Sequence, residues 1–161
     1  MTRTRSTTGH RAIRLPPEAY RRPGTTWLAT ISAHDRGARP FASEPLASAV
    51  TEALRVSHGL RSCRLLAYCL MPDHLHVVTT VDRGGDLIKL LDGFKSFTTK
   101  TWRDGGGAGP LWQASFHDRG LRTSEDVEAA VRYVWGNPVR AGLVSEGDEY
   151  AYRGGELFAS A

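Results

Sequence analysis

Four β-branched or apolar runs and two long amphipathic stretches follow one another in the order β-α-β-β-α-β, with a further amphipathic stretch behind them. That order is the split βαβ arrangement. It predicts an α+β protein of the ferredoxin-like (βαββαβ) class. Such a protein has an antiparallel sheet, both main helices on one face, and here an additional C-terminal helix. The length of 161 residues, 40% of them hydrophobic, suits one domain with a buried core.

The elements are read in chain order. Residues 1–24, "MTRTRSTTGHRAIRLPPEAYRRPG", recur in arginine with Glu18 the only acid, and read as a basic, flexible N-terminal arm. "TTWLATISA" (Thr25–Ala33) alternates and is β-branched, which predicts the first strand. Pro45 marks the start of a helix to about His58, with Ser43 as N-cap; Leu46, Val50, Ala53, Leu54 and Leu60 supply its apolar side and Gly59 its end. "CRLLAYCL" (Cys63–Leu70) and "HLHVVTTV" (His74–Val81) predict strands joined by the tight "MPD" connection, hence a hairpin. A long helix is expected from Asp86 to about Arg103, with Leu87, Leu90, Leu91, Phe94 and Phe97 on one side. "LWQASFHDRGLR" (Leu111–Arg122) reads as a strand and its approach. Ser124 is expected to cap a last helix that Pro138 stops at Asn137, with Val127, Ala130, Val131 and Val134 facing the core. The domain is therefore expected to span residues 25–144, and residues 145–161 to form a loose tail.

The bulk properties exclude some classes. The formal charge is +4 and the pI about 9.4, an excess carried mostly by arginine, which favours an anionic partner such as phosphate. No apolar run approaches the ~20 residues of a membrane span, and no signal-peptide core is present, so a cytoplasmic setting without a membrane partner is expected. Cys63 and Cys69 are the only cysteines. Six residues of strand separate them by roughly 20 Å, too far for a disulfide within that strand, so reduced thiols are expected.

The stretch "MPDHLHVVTT" sets His74 and His76 on alternate strand positions. Both then point to one face about 6.5–7 Å apart, while Leu75 and Val77 point to the other, toward the helices. Two imidazoles at that spacing can converge on one metal ion. His-x-His is short and common, however, and a metal usually needs at least one more protein ligand. A two-histidine phosphoesterase would want His-x-Thr or His-x-Ser in two strands, and His76 is followed by Val77 and Val78. Neither cysteine sits in a paired zinc spacing. In the last helix, Tyr133 and Asn137 lie at i and i+4, one turn apart at the edge of the core stripe. They bring together a phenol able to act as a nucleophile and an amide oxygen able to bind a metal. If that helix covers the open sheet face, His74, His76 and Asn137 form a three-ligand site beside Tyr133.

At this point the sequence resembles a known family. "YCLMPDHLHVV", "FKSFTTKTW", "LWQASFHDRGLR" and "RYVWGNPVRAGLV" look like the successive blocks of the HUH-type single-tyrosine transposases, in particular the REP-associated tyrosine transposases. The order and spacing of the blocks, running from about Tyr20 to Val144, carry the resemblance. It implies metal binding by His74 and His76, completed by Asn137, and a nucleophile at Tyr133. It also implies single-stranded DNA with a hairpin or palindromic repeat as substrate, and Mg²⁺ or Mn²⁺ as cofactor. Cleavage and rejoining would pass through a 5′-phosphotyrosine, as a monomer or homodimer. Two departures are visible: Tyr133-Val134 where the family often has Tyr-Ile, and Asp73 where it often has Asn. Neither is expected to touch the chemistry.

Candidate DNA contacts follow from charge and aromaticity. Arg119, Arg122, Arg132 and Arg140 lie near the proposed site in sequence, and Lys100 and Arg103 on the polar side of the long helix. Trp112, Phe116 and Trp135 are candidates for stacking on unpaired bases, or else core residues. His117 and Gln113 are reserve metal ligands should Asn137 not serve. The alternative to an enzyme is a binding module of the same fold that holds a DNA or RNA hairpin without turnover.

Overall fold

The computed structural model describes residues 14–158. Its elements are β1 (Thr26–Ser32), α1 (Glu44–Leu60), β2 (Cys63–Leu70), β3 (His74–Val81), α2 (Leu87–Asp104), β4 (His117–Leu121), α3 (Ser124–Trp135), the short α4 (Asn137–Arg140) and β5 (Arg153–Gly154). The strands form one antiparallel sheet in the order β4-β1-β3-β2-β5. The first four in chain order reproduce the split βαβ arrangement, and the α+β ferredoxin-like expectation holds. No helix among the described residues is long and apolar enough to cross a membrane.

The sheet separates two apolar layers. Leu75 and Val77 of β3 are fully buried with Leu54 of α1 and Leu87, Leu90, Leu91 and Phe94 of α2. On the opposite face, Cys69 and Val78 pack with Ala130, Val131 and Val134 of α3. A break in the β2–β3 register between Leu65 and Ala67 changes which face each β2 residue serves. Cys63 and Leu65 lie in the first layer, whereas after the break Cys69 lies in the second, directly opposite His76. Both thiols are free and buried; burial pushes Cys63 up to about 11 and Cys69 to about 12, which leaves them unreactive at neutral pH.

Several sequence expectations change. Within the expected arm, a short 3-10 turn (Pro17–Arg21) anchors the segment through Tyr20, while residues 14–18 and 21–24 are exposed. Tyr20 is buried, stacks on Trp27 and donates its hydroxyl to Asp118 at 2.7 Å. The rest of the expected arm, residues 1–13, lies outside the described residues. Ser43 occupies the N-cap of α1 without a side-chain bond, and Leu60 is exposed, as is Phe97 on α2. α3 is capped by Thr123, one residue before Ser124, through a reciprocal capping box with Asp126. α3 ends at Trp135, and Pro138 sits in the first turn of α4, where its missing N–H costs nothing. Part of the expected tail, within the described residues up to 158, docks on the sheet. β5 extends the sheet beside β2, Arg153 donates to the Trp135 carbonyl at 2.8 Å, and Phe158 stacks on the Trp135 ring. Gly155 makes this docking possible: its φ is +128°, and a Cβ there would meet the Leu66 carbonyl at 2.4 Å.

His58 is a core histidine satisfied at both nitrogens. Nδ1–H donates to the Leu54 carbonyl at 2.8 Å, and Nε2 accepts from the Thr79 hydroxyl at 2.9 Å. Burial lowers its pKa from 6.5 to about 4. The unfolded chain therefore takes up this proton more readily than the folded one, and stability declines as pH falls through this window. The urea midpoint is expected to be level above about pH 6.5 and to decline toward pH 4, with a shallower decline in His58→Gln. A midpoint that is flat or rising on acidification over that range would contradict this placement.

Candidate active site

His74 and His76 lie on the sheet face covered by α3, at the end where β3 leaves the hairpin. Antiparallel pairing sets Thr30 of β1 opposite His76 and Ser32 opposite His74. Their Nδ1 atoms are each engaged. His74 Nδ1 lies 2.6 Å from Asp73 Oδ1, and His76 Nδ1 lies 2.9 Å from the Thr30 hydroxyl. Asp73 in turn accepts from Arg36 at 3.0 Å. Partial burial by itself would raise the Asp73 carboxyl, but the bonds from His74 and Arg36 prevail and hold it below the usual carboxylate range. Asp73 thus accepts from His74 Nδ1–H and holds the ring with Nε2 turned away from it.

With Nδ1 occupied, each ring turns Nε2 toward the other, and the two Nε2 atoms are 3.0 Å apart. Two lone pairs at that distance require a proton or a cation between them. Two nitrogens each about 2.1 Å from one ion and at right angles would be about 3.0 Å apart; a tetrahedral ion would set them at about 3.4 Å. The spacing is equally that of an N–H···N hydrogen bond, with one ring the donor and the other the acceptor. Burial, then the nearby His74 and Arg140 charges, lower the His76 pKa from 6.5 to about 4. At neutral pH His76 is therefore a neutral imidazole, the form that ligates metals. Among the described residues no cluster of three His, Cys, Asp or Glu side chains is arranged to hold a metal.

α3 brings Tyr133 to this pair. Val134, Val131 and Ala130 bury its core stripe against the sheet, which turns Tyr133 to the edge, where it is 48% exposed and accessible to a substrate. The Tyr133 ring stands edge-on to His76 with centroids 5.7 Å apart. Asn137, in the first turn of α4, is buried. Its Oδ1 accepts from Arg140 at 3.1 Å, while its Nδ2 is buried with no protein partner. Arg140 lies over the Tyr133 ring at 4.3 Å and also donates to the Tyr133 carbonyl. Tyr133 and Asn137 are thus joined through one guanidinium. A cleft of about 980 Å³ opens beside Arg140, lined also by Trp135, Tyr150 and Arg153.

The other candidates divide by face. His117 and Arg119 of β4 are exposed and share the sheet face of His76, since Thr30 pairs with both His76 and His117. Arg122 is exposed just before α3, and Arg132 is exposed on α3, 3.9 Å from Glu128. Lys100 and Arg103 belong to the α2 layer on the opposite face; Lys100 pairs with Asp104 and Arg103 donates to the Gly109 carbonyl. Trp112 and Phe116 are core. Trp112 is buried, stacks on Phe41 and donates to the Thr98 hydroxyl at 2.8 Å. Trp135 is partly exposed but already sandwiched between Phe158 and Arg153. Gln113 donates its backbone N–H to the Ser32 carbonyl, which ties the loop to the site's end of β1. Thr30, Asp73 and Arg36 were not identified as site residues from sequence. Only the alternation of Thr30 within its strand hinted at its face, and nothing hinted at its register against His76.

A split βαβ sheet carrying His-Leu-His beneath a tyrosine-bearing helix has the fold of a tyrosine transposase. The structure of a REP-associated tyrosine transposase bound to a REP hairpin matches with a TM-score of 0.71 and 23% identity, over 83% of this chain and 78% of that one. In sequence, the REP-associated tyrosine transposase of Escherichia coli K12 is 24% identical over 145 residues, covering 83% of this chain and 79% of the relative. A Deinococcus radiodurans structure assigned as a transposase matches with a TM-score of 0.50 and 16% identity, over 70% of this chain and 88% of that one. No family model matches the chain. The resemblance to REP-associated tyrosine transposases thus extends through both sequence and fold.

Because Trp112 is core rather than a base platform, Trp112→Ala is expected to cost about 3–5 kcal/mol of unfolding free energy. Chemical denaturation measures this; a loss below about 1 kcal/mol, accompanied by weakened DNA binding, would return Trp112 to the surface role.

Proposed function

We propose that this protein is a transposase-type enzyme that cleaves and rejoins single-stranded DNA at hairpins or palindromic repeats. The REP-hairpin complex of its structural relative supports the substrate class. The observation that carries the chemistry is the Nε2–Nε2 separation of 3.0 Å, with Tyr133 edge-on to the same pair.

His74 and His76 would hold a divalent ion, with Asn137 as the third protein ligand. The donor set of two imidazoles and an amide oxygen suits Mn²⁺ readily and Mg²⁺ with more water in its shell. When bound, such an ion polarises a non-bridging oxygen of the scissile phosphate and offsets its charge. Asp73 fixes the His74 tautomer that leaves Nε2 free and Thr30 orients the His76 ring, roles whose loss typically lowers metal affinity by about 10–100-fold. Tyr133 is the nucleophile. Its oxygen forms a bond to phosphorus as the bond to the 3′ oxygen breaks. The phenolic proton is lost and the departing 3′ oxygen gains one. The product is a 5′-phosphotyrosine and a free 3′-OH. The phosphotyrosine ester retains the bond, so a second 3′-OH can attack it and rejoin strands without a nucleotide cofactor.

A hairpin-bearing single strand incubated with Mn²⁺ and full-length protein should give a covalent protein–DNA band that Tyr133→Phe abolishes. Undiminished cleavage by Tyr133→Phe would place the nucleophile elsewhere. A bound hairpin with no covalent band under any divalent ion would make the protein a binding module. Asp73→Ala is expected to raise the Mn²⁺ concentration needed for half-maximal cleavage by about 10-fold or more; an unchanged requirement would remove Asp73 from the site's support.

A further inference from the structure

Asn137 offers one acceptor atom, Oδ1, and a guanidinium already holds it. Arg140 can only donate, so the atom it meets at 3.1 Å is the oxygen that a metal would need. The same guanidinium covers the Tyr133 ring at 4.3 Å and donates to the Tyr133 carbonyl. Its place is built into the backbone. Gly136 lies between α3 and α4, and a Cβ there would stand 2.8 Å from Arg140 Nη1. Gly136 has φ −76°, which any residue adopts, so a Cβ here would meet only the movable end of the Arg140 side chain. Meanwhile Asn137 Nδ2 is buried without a partner. The Arg140 bond is therefore the only side-chain hydrogen bond recorded for Asn137 among the described residues.

We propose that Arg140 is a latch on the metal site: its guanidinium holds Asn137 Oδ1 and covers the Tyr133 face, and its charge opposes a divalent ion at the same oxygen. The inference rests on the metal reading of His74, His76 and Asn137 given above. A monovalent guanidinium and a divalent ion on one carbonyl oxygen repel each other at short range in a partly buried site. Metal affinity is consequently set by the competition between them. Arg140 is a positioning residue in this scheme: it orients the Tyr133–Asn137 turn and regulates access to its oxygen. Once displaced, its charge lies at the mouth of the site, available to a phosphate of the strand.

Mn²⁺ binding to the full-length protein, followed by loss of the free-ion EPR signal, tests the latch without catalysis. Arg140→Met removes the competing charge and keeps the aliphatic stem. Gly136→Ala keeps the charge and displaces Arg140 Nη1 through the added Cβ. Both variants are expected to bind Mn²⁺ at least several-fold more tightly than wild type. A purely structural role for Arg140 would weaken binding instead, so equal or weaker affinity in both variants overturns the latch. If Arg140→Met fails to fold, Arg140→Gln, which also removes the charge, takes its place. His76→Ala separates the two levels of inference. If it abolishes Mn²⁺ binding while the Arg140 and Gly136 variants match wild type, the metal site stands and the latch does not. If Mn²⁺ binding survives His76→Ala, the metal reading fails and the latch fails with it.

Discussion

The pairing of β3 between β1 and β2 is the constraint on which the site depends. One register sets Thr30 across from His76 on one side and Cys69 on the other. A slip by one residue would turn every β3 side chain to the opposite face. His74 and His76 would then enter the α1–α2 core, and Leu75 and Val77 would be exposed. The register is secured because Leu75, Val77 and Val81 are completely buried in that core. The hydrophobic layer on one face thereby fixes two imidazoles on the other, and Thr30 arrives opposite His76 as part of the same pairing.

The second requirement is a lid that brings Tyr133 to the histidines. α3 does so through a narrow apolar stripe, Ala130, Val131 and Val134, whose width leaves Tyr133 at the edge rather than in the core. The helix is held at both ends. The Thr123–Asp126 capping box fixes its start. At its end, Arg153 and Phe158 clasp Trp135 from the C-terminal segment. The β5 strand is thus structural support for Trp135, two residues beyond Tyr133. Gly155 lets that segment approach the β2 backbone at the register break.

Electrostatics at the site point in one direction. His76 is kept neutral chiefly by burial, and Asp73 is kept ionised by His74 and Arg36. The result is one orienting carboxylate and two ring nitrogens facing each other at 3.0 Å. Arg140 supplies positive charge from the α4 side and links Tyr133 to Asn137. By contrast, Lys100 and Arg103, the polar side of α2, belong to the other layer and pair locally. A basic residue's distance along the chain from the site said little about which face of the sheet it would reach.

The strands were legible because their patterns are local: "CRLLAYCL" and "HLHVVTTV" coincide with β2 and β3 at both ends. The alternation of His74 and His76 with Leu75 and Val77 determined which pair faces the core, since a strand has only two faces. The i, i+4 spacing of Tyr133 and Asn137, together with the motif order, determined a candidate nucleophile and its neighbour. Tertiary structure alone decided what surrounds them. Thr30 meets His76 across 46 positions of sequence, and Tyr20 meets Asp118 across 98. Trp112 turned inward because Phe41 and Thr98 close around it. The tail became a strand because the edge of β2 was open to it. Sequence periodicity reports which side of its own element a residue occupies. The partner across that face depends on register and packing between distant segments, and no local pattern encodes it.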